Sequence, residues 1–199
     1  MIYKTMMSIN MNIKTILGYF LIFFALLFMI VIALPQFYSN SSSGRINKNV
    51  VLEFDFLKEE KAPVVMLFFG YVGCGDICIP AMNELSTIYE QLDKSTTKVY
   101  FVNVFDETNK EHPLEYAKAY NSEFMGIYLD KLGIKKVSEK LTLAIIKISQ
   151  QEISHTGHLY ILEKDELSSK YYLKYIYTTR PFDEKSIVKD INILIGNKA

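Results

Sequence analysis

The chain has 199 residues, with 22 basic and 22 acidic side chains, three His, two Cys and no Trp. Half of the residues are hydrophobic, enough for one domain core, and a net charge of zero lacks the basic face that a nucleic-acid binder needs. Two cysteines cannot build a disulfide-rich scaffold or a four-thiolate zinc site, and a mean hydropathy of +0.11 is high for a chain that is 22% charged.

The source of that hydropathy comes first in the chain. Ile16 to Leu34 carries no charge, and as a helix it would be roughly 28 Å long, about the thickness of a bilayer's hydrocarbon core. Lys4 and Lys14 precede it and the first acid is Glu53, so the positive flank is expected to stay in the cytoplasm. A cleaved signal peptide is the alternative, with Val31 and Ala33 as the small-residue pair. The apolar run exceeds the ~7–15 residues usual there and favours an uncleaved anchor. A mitochondrial presequence is disfavoured because no Arg precedes Arg45. The expected organisation is a cytoplasmic terminus at 1–15, a transmembrane anchor at 16–34, a Ser/Asn-rich flexible linker at 35–49 and an exported domain at 50–199. Without residues 1–35, which include Lys4 and Lys14 and no acid, the remainder holds 20 basic and 22 acidic residues.

In the domain, strand-like and helix-like patterns alternate. Val64–Phe69 is an apolar run of buried-strand length, and Pro80–Leu92 has helical spacing at Met82, Leu85, Ile88, Tyr89 and Leu92. Lys98–Val104 reads as a strand, Pro113–Tyr120 and Ile134–Leu141 as short helices, and Leu143–Ile148 as a strand. Gly157–Leu162 and Tyr171–Tyr177 form a hairpin across a charged turn, and Pro181–Ile195 is a closing helix with Gly196 beyond its end. The pattern implies an α/β fold with a mixed sheet flanked by helices.

Both cysteines lie in Gly73-Cys74-Gly75-Asp76-Ile77-Cys78, between a buried strand and a helix start. Such turns sit at the carboxyl edge of a sheet, where α/β folds place their sites. A helix N-terminus also favours a thiolate. Spacing i to i+4 brings the two Cβ atoms to about 5–6 Å, close enough for a disulfide after small adjustment or for one soft metal ion between two sulfurs. A fixed staple is the plain alternative, but three intervening residues remove little unfolded-chain entropy.

His155 and His158 are three apart on an expected strand, so only one should face the cysteines unless Gly157 marks a bulge. Two thiolates and one imidazole suit copper better than magnesium or calcium. Zinc would want a fourth ligand, for which Asp76 or His158 is a candidate. His112, before Pro113, reads as a capping or loop residue. A peroxidase is disfavoured, since Val72 and Gly73 precede Cys74 and the chain has only Arg45 and Arg180 as anion clamps.

These residues bear a family resemblance. Phe68-Phe69-Gly70-Tyr71 leading to Cys74-x-Asp76-x-Cys78, a following helix with Glu84-Leu85, and His155-Thr156 before Leu159-Tyr160-Ile161-Leu162 resemble the SCO/SenC proteins. Tyr116-Ala117-Lys118-Ala119-Tyr120 with Phe124-Met125-Gly126-Ile127 resembles the family's middle segment. The likeness runs from about Lys61 to Tyr177 and includes the layout of anchor plus exported domain. It implies a thioredoxin-like fold on one membrane anchor, in the inner membrane with the domain in the periplasm, or less favourably in the mitochondrial intermembrane space. It implies copper, Cu(I) or Cu(II), on Cys74, Cys78 and His155. It also implies a metallochaperone role toward the copper-receiving subunit of cytochrome c oxidase, or another copper or thiol client. The alternative is a thiol–disulfide oxidoreductase using Cys74 and Cys78 as its catalytic redox pair without copper. The chain departs from the family where Pro would follow each cysteine: Gly75 and Ile79 stand there, with Pro80 one position later.

Overall fold

The computed structural model describes residues 12–38, 44–105, 109–141, 143–147 and 153–196. The chain divides into two units, Met1–Ser42 and Ser43–Ala199.

The first unit holds helix α1, Ile13–Tyr38. Within it Ile13–Val31 is long and apolar enough to cross a membrane, and none of that stretch is buried by protein. The helix extends beyond the expected 16–34 at both ends and continues through Pro35, whose fixed φ is itself helical.

The second unit is built on strand β2, Val64–Gly70, whose seven residues are all buried. A strand covered on both faces reads as an unbroken apolar run, as here. Helix α2, Cys78–Tyr89, crosses over to β3, Thr97–Asn103, which pairs parallel to β2. Met82, Leu85, Ile88 and Tyr89 are its buried stripe, at the spacing that faces a core. Helix α3, His112–Tyr120, leads to the short strand β4, Met125–Ile127, parallel to β3. Helix α4, Lys131–Leu141, precedes a separate two-stranded ladder, β5 Ile145–Lys147 with β6 Ile153–His155. Then β7, Leu159–Lys164, and β8, Tyr171–Tyr177, form the expected antiparallel hairpin, and β7 pairs antiparallel to β2. Helix α5, Glu184–Gly196, closes the chain and contacts α2 and β2.

The expected linker differs most. Its residues 39–43 lie outside the described residues, but Arg45–Leu52 is a strand, β1, antiparallel to β8. Seven of its eight residues are exposed, Ile46, Val50 and Val51 among them, so its apolar residues mark no buried face and it is held by its ladder to β8. The sheet order is therefore β1-β8-β7-β2-β3-β4.

The direction of the strands brings distant loops to one edge. Strands β2 and β8 run the same way, with β7 reversed between them. The exit from β2 at Gly70, the entry to β7 at Leu159 and the exit from β8 at Tyr177 thus share an edge, because Leu159 pairs with both Phe68 and Tyr177.

Candidate metal centre

At that edge β2 gives way to the loop Tyr71–Ile77 and the first turn of α2. Val104 N–H donates to Gly70 O (2.8 Å), extending the parallel ladder past the end of β2. The buried Asn103 supports the loop through its side chain, accepting from Val72 N–H (3.4 Å) and donating to Phe105 O (2.7 Å). Gly73 adopts φ +94°, a conformation that L side chains rarely take, and Cys74 N–H closes a turn onto Tyr71 O (3.2 Å).

The two cysteines are unbridged and buried. Cys78 is the first residue of α2, and its sulfur lies over Gly70, where a Cβ would meet Sγ at 2.6 Å. The Cys74 sulfur lies at the helix start and accepts hydrogen bonds from the Ile77 and Cys78 amides. His155 ends β6, is only 7% exposed, and packs its ring edge-on against Tyr71 (6.0 Å) and Phe68 (6.5 Å). Its Nε2 is 3.5 Å from Cys78 Sγ and 3.7 Å from Cys74 Sγ. Gly157, at φ +58°, turns back so that its N–H donates to His155 Nδ1 (3.2 Å) and fixes the ring. The ligand atoms of Cys74, Cys78 and His155 all lie within 4.8 Å of one another.

The sulfurs are electrostatically unequal. The hydrogen bond from Cys78, with those from His155 and the helix-start amides, outweighs burial and holds the Cys74 thiol down to about 4. The Cys74 neighbour and burial push the Cys78 thiol far up. A proton shared by the pair is therefore favoured on Cys78 over Cys74.

Sequence expectations divide here. The structure brings Cys74, Cys78 and His155 together. Of the two candidate fourth ligands, Asp76 is exposed, and neither it nor His158 belongs to the group. The Gly157 turn sends the two histidines apart: His158 lies 6.3 Å from the Tyr160 ring, where burial and the Arg180 charge lower its pKa. His112, expected as a capping or loop residue, is instead the first residue of α3, with Glu111 at the cap position. Among the described residues the group is two thiolates and one imidazole, a set that fits copper better than zinc.

Arg180 was noted in the sequence only as a scarce arginine. It lies three residues beyond the end of β8, and its guanidinium donates to Ile77 O (2.9 Å) and Gly157 O (2.5 and 3.1 Å). No residue type in the sequence marks this role, because its partners are backbone carbonyls.

Residues 58–191 match the SCO1/SenC family. The chain belongs to that family. Among curated SCO-like relatives, an SCO2-like protein of Rickettsia felis is 23% identical over 128 residues, 60% of each chain. A putative copper-binding protein of Stutzerimonas stutzeri is 25% identical over 108 residues, 50% of this chain and 53% of that one. The chain thus spans about 60% or less of the length of these relatives. Among solved Sco structures, Arabidopsis thaliana ScoI with copper bound superposes with a TM-score of 0.61 at 18% identity, over 76% of this chain and 99% of that one. Apo Sco1 of Thermus thermophilus gives 0.57 at 23% identity, over 75% and 92%. The SCO1/SenC domain of this chain therefore has the thioredoxin-like Sco fold.

Proposed function

We propose that this SCO1/SenC protein binds copper through Cys74, Cys78 and His155 and delivers it to a copper-receiving client, the cytochrome c oxidase copper subunit being the one the family points to. The observation that carries the reading is the single imidazole nitrogen 3.5 and 3.7 Å from two free sulfurs in a buried pocket. Thiolates select Cu(I), and imidazole serves either oxidation state, so this donor set is matched to copper as cargo. Copper-bound Sco structures from Arabidopsis thaliana and Bradyrhizobium japonicum, and the copper-binding name of the Stutzerimonas relative, support the assignment.

The chain's own residues supply what a carrier needs. The α2 start presents Cys74 as a thiolate before metal arrives, and Gly157 holds the imidazole toward both sulfurs. Anaerobic Cu(I) competition titration of the full chain in detergent micelles tests the reading. His155→Ala should lose at least about tenfold in affinity, or about 1.4 kcal/mol; equal affinity in the two proteins removes His155 from the site.

We place the protein in the inner membrane, single-pass on the apolar part of α1, with residues 1–15 cytoplasmic and the domain periplasmic. Its support is the 19-residue span and the positive flank before it. Protease added outside spheroplasts should digest the domain; protection of the domain would reverse the orientation.

A thiol–disulfide oxidoreductase is the second reading, favoured by two unbridged thiols at a helix start of which Cys74 is held down and Cys78 pushed up. It predicts dithiol turnover that survives His155→Ala and disappears in Cys74→Ser.

A further inference from the structure

The third donor sits on a weakly fastened part of the fold. His155 ends a ladder of three-residue strands that is separate from the six-stranded sheet bearing the cysteine loop. Two segments distant in sequence, 71–78 and 153–158, must keep their spacing for three donors to converge.

One guanidinium spans them. Arg180 Nη1 donates to Ile77 O (2.9 Å), the carbonyl just before Cys78. Its Nε and Nη2 donate to Gly157 O (3.1 and 2.5 Å), two residues after His155. Its cation lies over the rings of Phe68 (5.2 Å) and Phe182 (4.8 Å), which fix the plane of the fork. No side chain fits between the bridged segments: a Cβ on Gly157 would meet Ile77 Cγ2 at 2.8 Å and Arg180 Nη2 at 3.0 Å. A rigid fork with five donors can hold two backbone carbonyls at once, whereas an ammonium is a point charge on a flexible stem.

We propose that Arg180 is a positioning residue that clamps the histidine segment onto the cysteine loop and thereby makes His155 available as the third copper ligand. The proposal rests on the copper reading above. It assigns Arg180 no contact with the metal. What it sets is the difference between a three-donor site and a bare pair of thiolates.

The test is a double-mutant cycle on the full chain in detergent micelles, read by anaerobic Cu(I) competition. Arg180→Gln should weaken binding by about 10–100-fold, the usual cost of losing a group that orients a ligand. In a His155→Ala background the same substitution should change affinity less than about twofold, because no third ligand is left to position. Arg180→Lys, the milder change, should fall between the two and carries the cycle if Arg180→Gln does not fold. Hydrogen exchange on the metal-free chain gives a second readout: amides of 153–158 should exchange faster in the variants while β7 stays protected. An equal loss with and without His155 overturns the proposal, since Arg180 would then act through its charge on the thiolates. Unchanged exchange at 153–158 overturns it too. Full affinity in Arg180→Gln beside a weakened His155→Ala sinks this proposal alone, whereas full affinity in His155→Ala sinks the ligand reading and this one with it.

Discussion

Cys74 and Cys78 are chemically the same residue four positions apart, yet the fold makes one an acid and the other a proton store. The difference comes first from the hydrogen bond between them, which lowers Cys74 and raises Cys78; His155 and the helix-start amides add to the lowering at Cys74, and deeper burial under Gly70 adds to the rise at Cys78. Alkylation mapped by peptide mass spectrometry should therefore modify Cys74 first at pH 6, with a rate that falls only as pH drops through about 4. Equal rates at the two cysteines would contradict the inequality. The same asymmetry fixes the proton count of metal uptake. A group with a depressed pKa is ionised above that pKa, so at pH 8 only Cys78 has a proton to give. Calorimetry in buffers of different ionisation enthalpy should find about one thiol proton released per Cu(I), rising toward two below the pKa of Cys74. At this scale the sequence was readable where chemistry-bearing residues are rare: two cysteines within five positions, and a histidine beside Gly157. The inequality of the sulfurs was not readable, since the direction of the hydrogen bond between them, with His155, the amides and burial, creates it. Nor was the role of Arg180, whose partners are backbone carbonyls that no residue type marks.

Among the elements, β2 and α2 announce themselves because burial on two faces or one stripe leaves a periodic apolar record. Strand β1 leaves none, because its apolar Ile46, Val50 and Val51 are exposed on an edge, and β4 and β6 are three residues each, shorter than any period can register. The junction of β2 with α2 is packed without slack. Gly70→Ala places a methyl 2.6 Å from Cys78 Sγ and 2.9 Å from Phe101 Cε2. Overpacking of this kind costs about 1–3 kcal/mol. A thermal melt should show Tm lowered by about 2–4 °C for each of those kcal/mol. Because the atom displaced is a candidate ligand, Cu(I) affinity should fall in the same variant; a wild-type melt and wild-type affinity together would show that the junction has room.

For the domain as a whole, the readable part was the alternation of strands and helices with a terminal hairpin. The order in which the hairpin docks, and hence which loops share an edge, is set by long-range pairing that leaves no local trace. On the β1 side of the hairpin lies a polar cluster. Arg45 Nη1 donates to both oxygens of the buried Asp190 (2.7 and 2.6 Å), which also accepts from Tyr177 OH (2.5 Å). Tyr177→Phe removes one hydrogen bond to a buried carboxylate and should cost about 1.5–3 kcal/mol in denaturant unfolding, with metal affinity unchanged. A neutral substitution would mean that Arg45 alone satisfies Asp190. The pairing of Arg45 with Tyr177 has a further consequence. The domain's own first strand starts on the edge where β8 ends, three strand spacings of about 4.8 Å, roughly 14 Å, along the sheet from the exit of β2. The first residue of the edge strand and the cysteine loop therefore belong to one rim of the sheet, although Arg45 and Gly70 lie 25 positions apart in the chain.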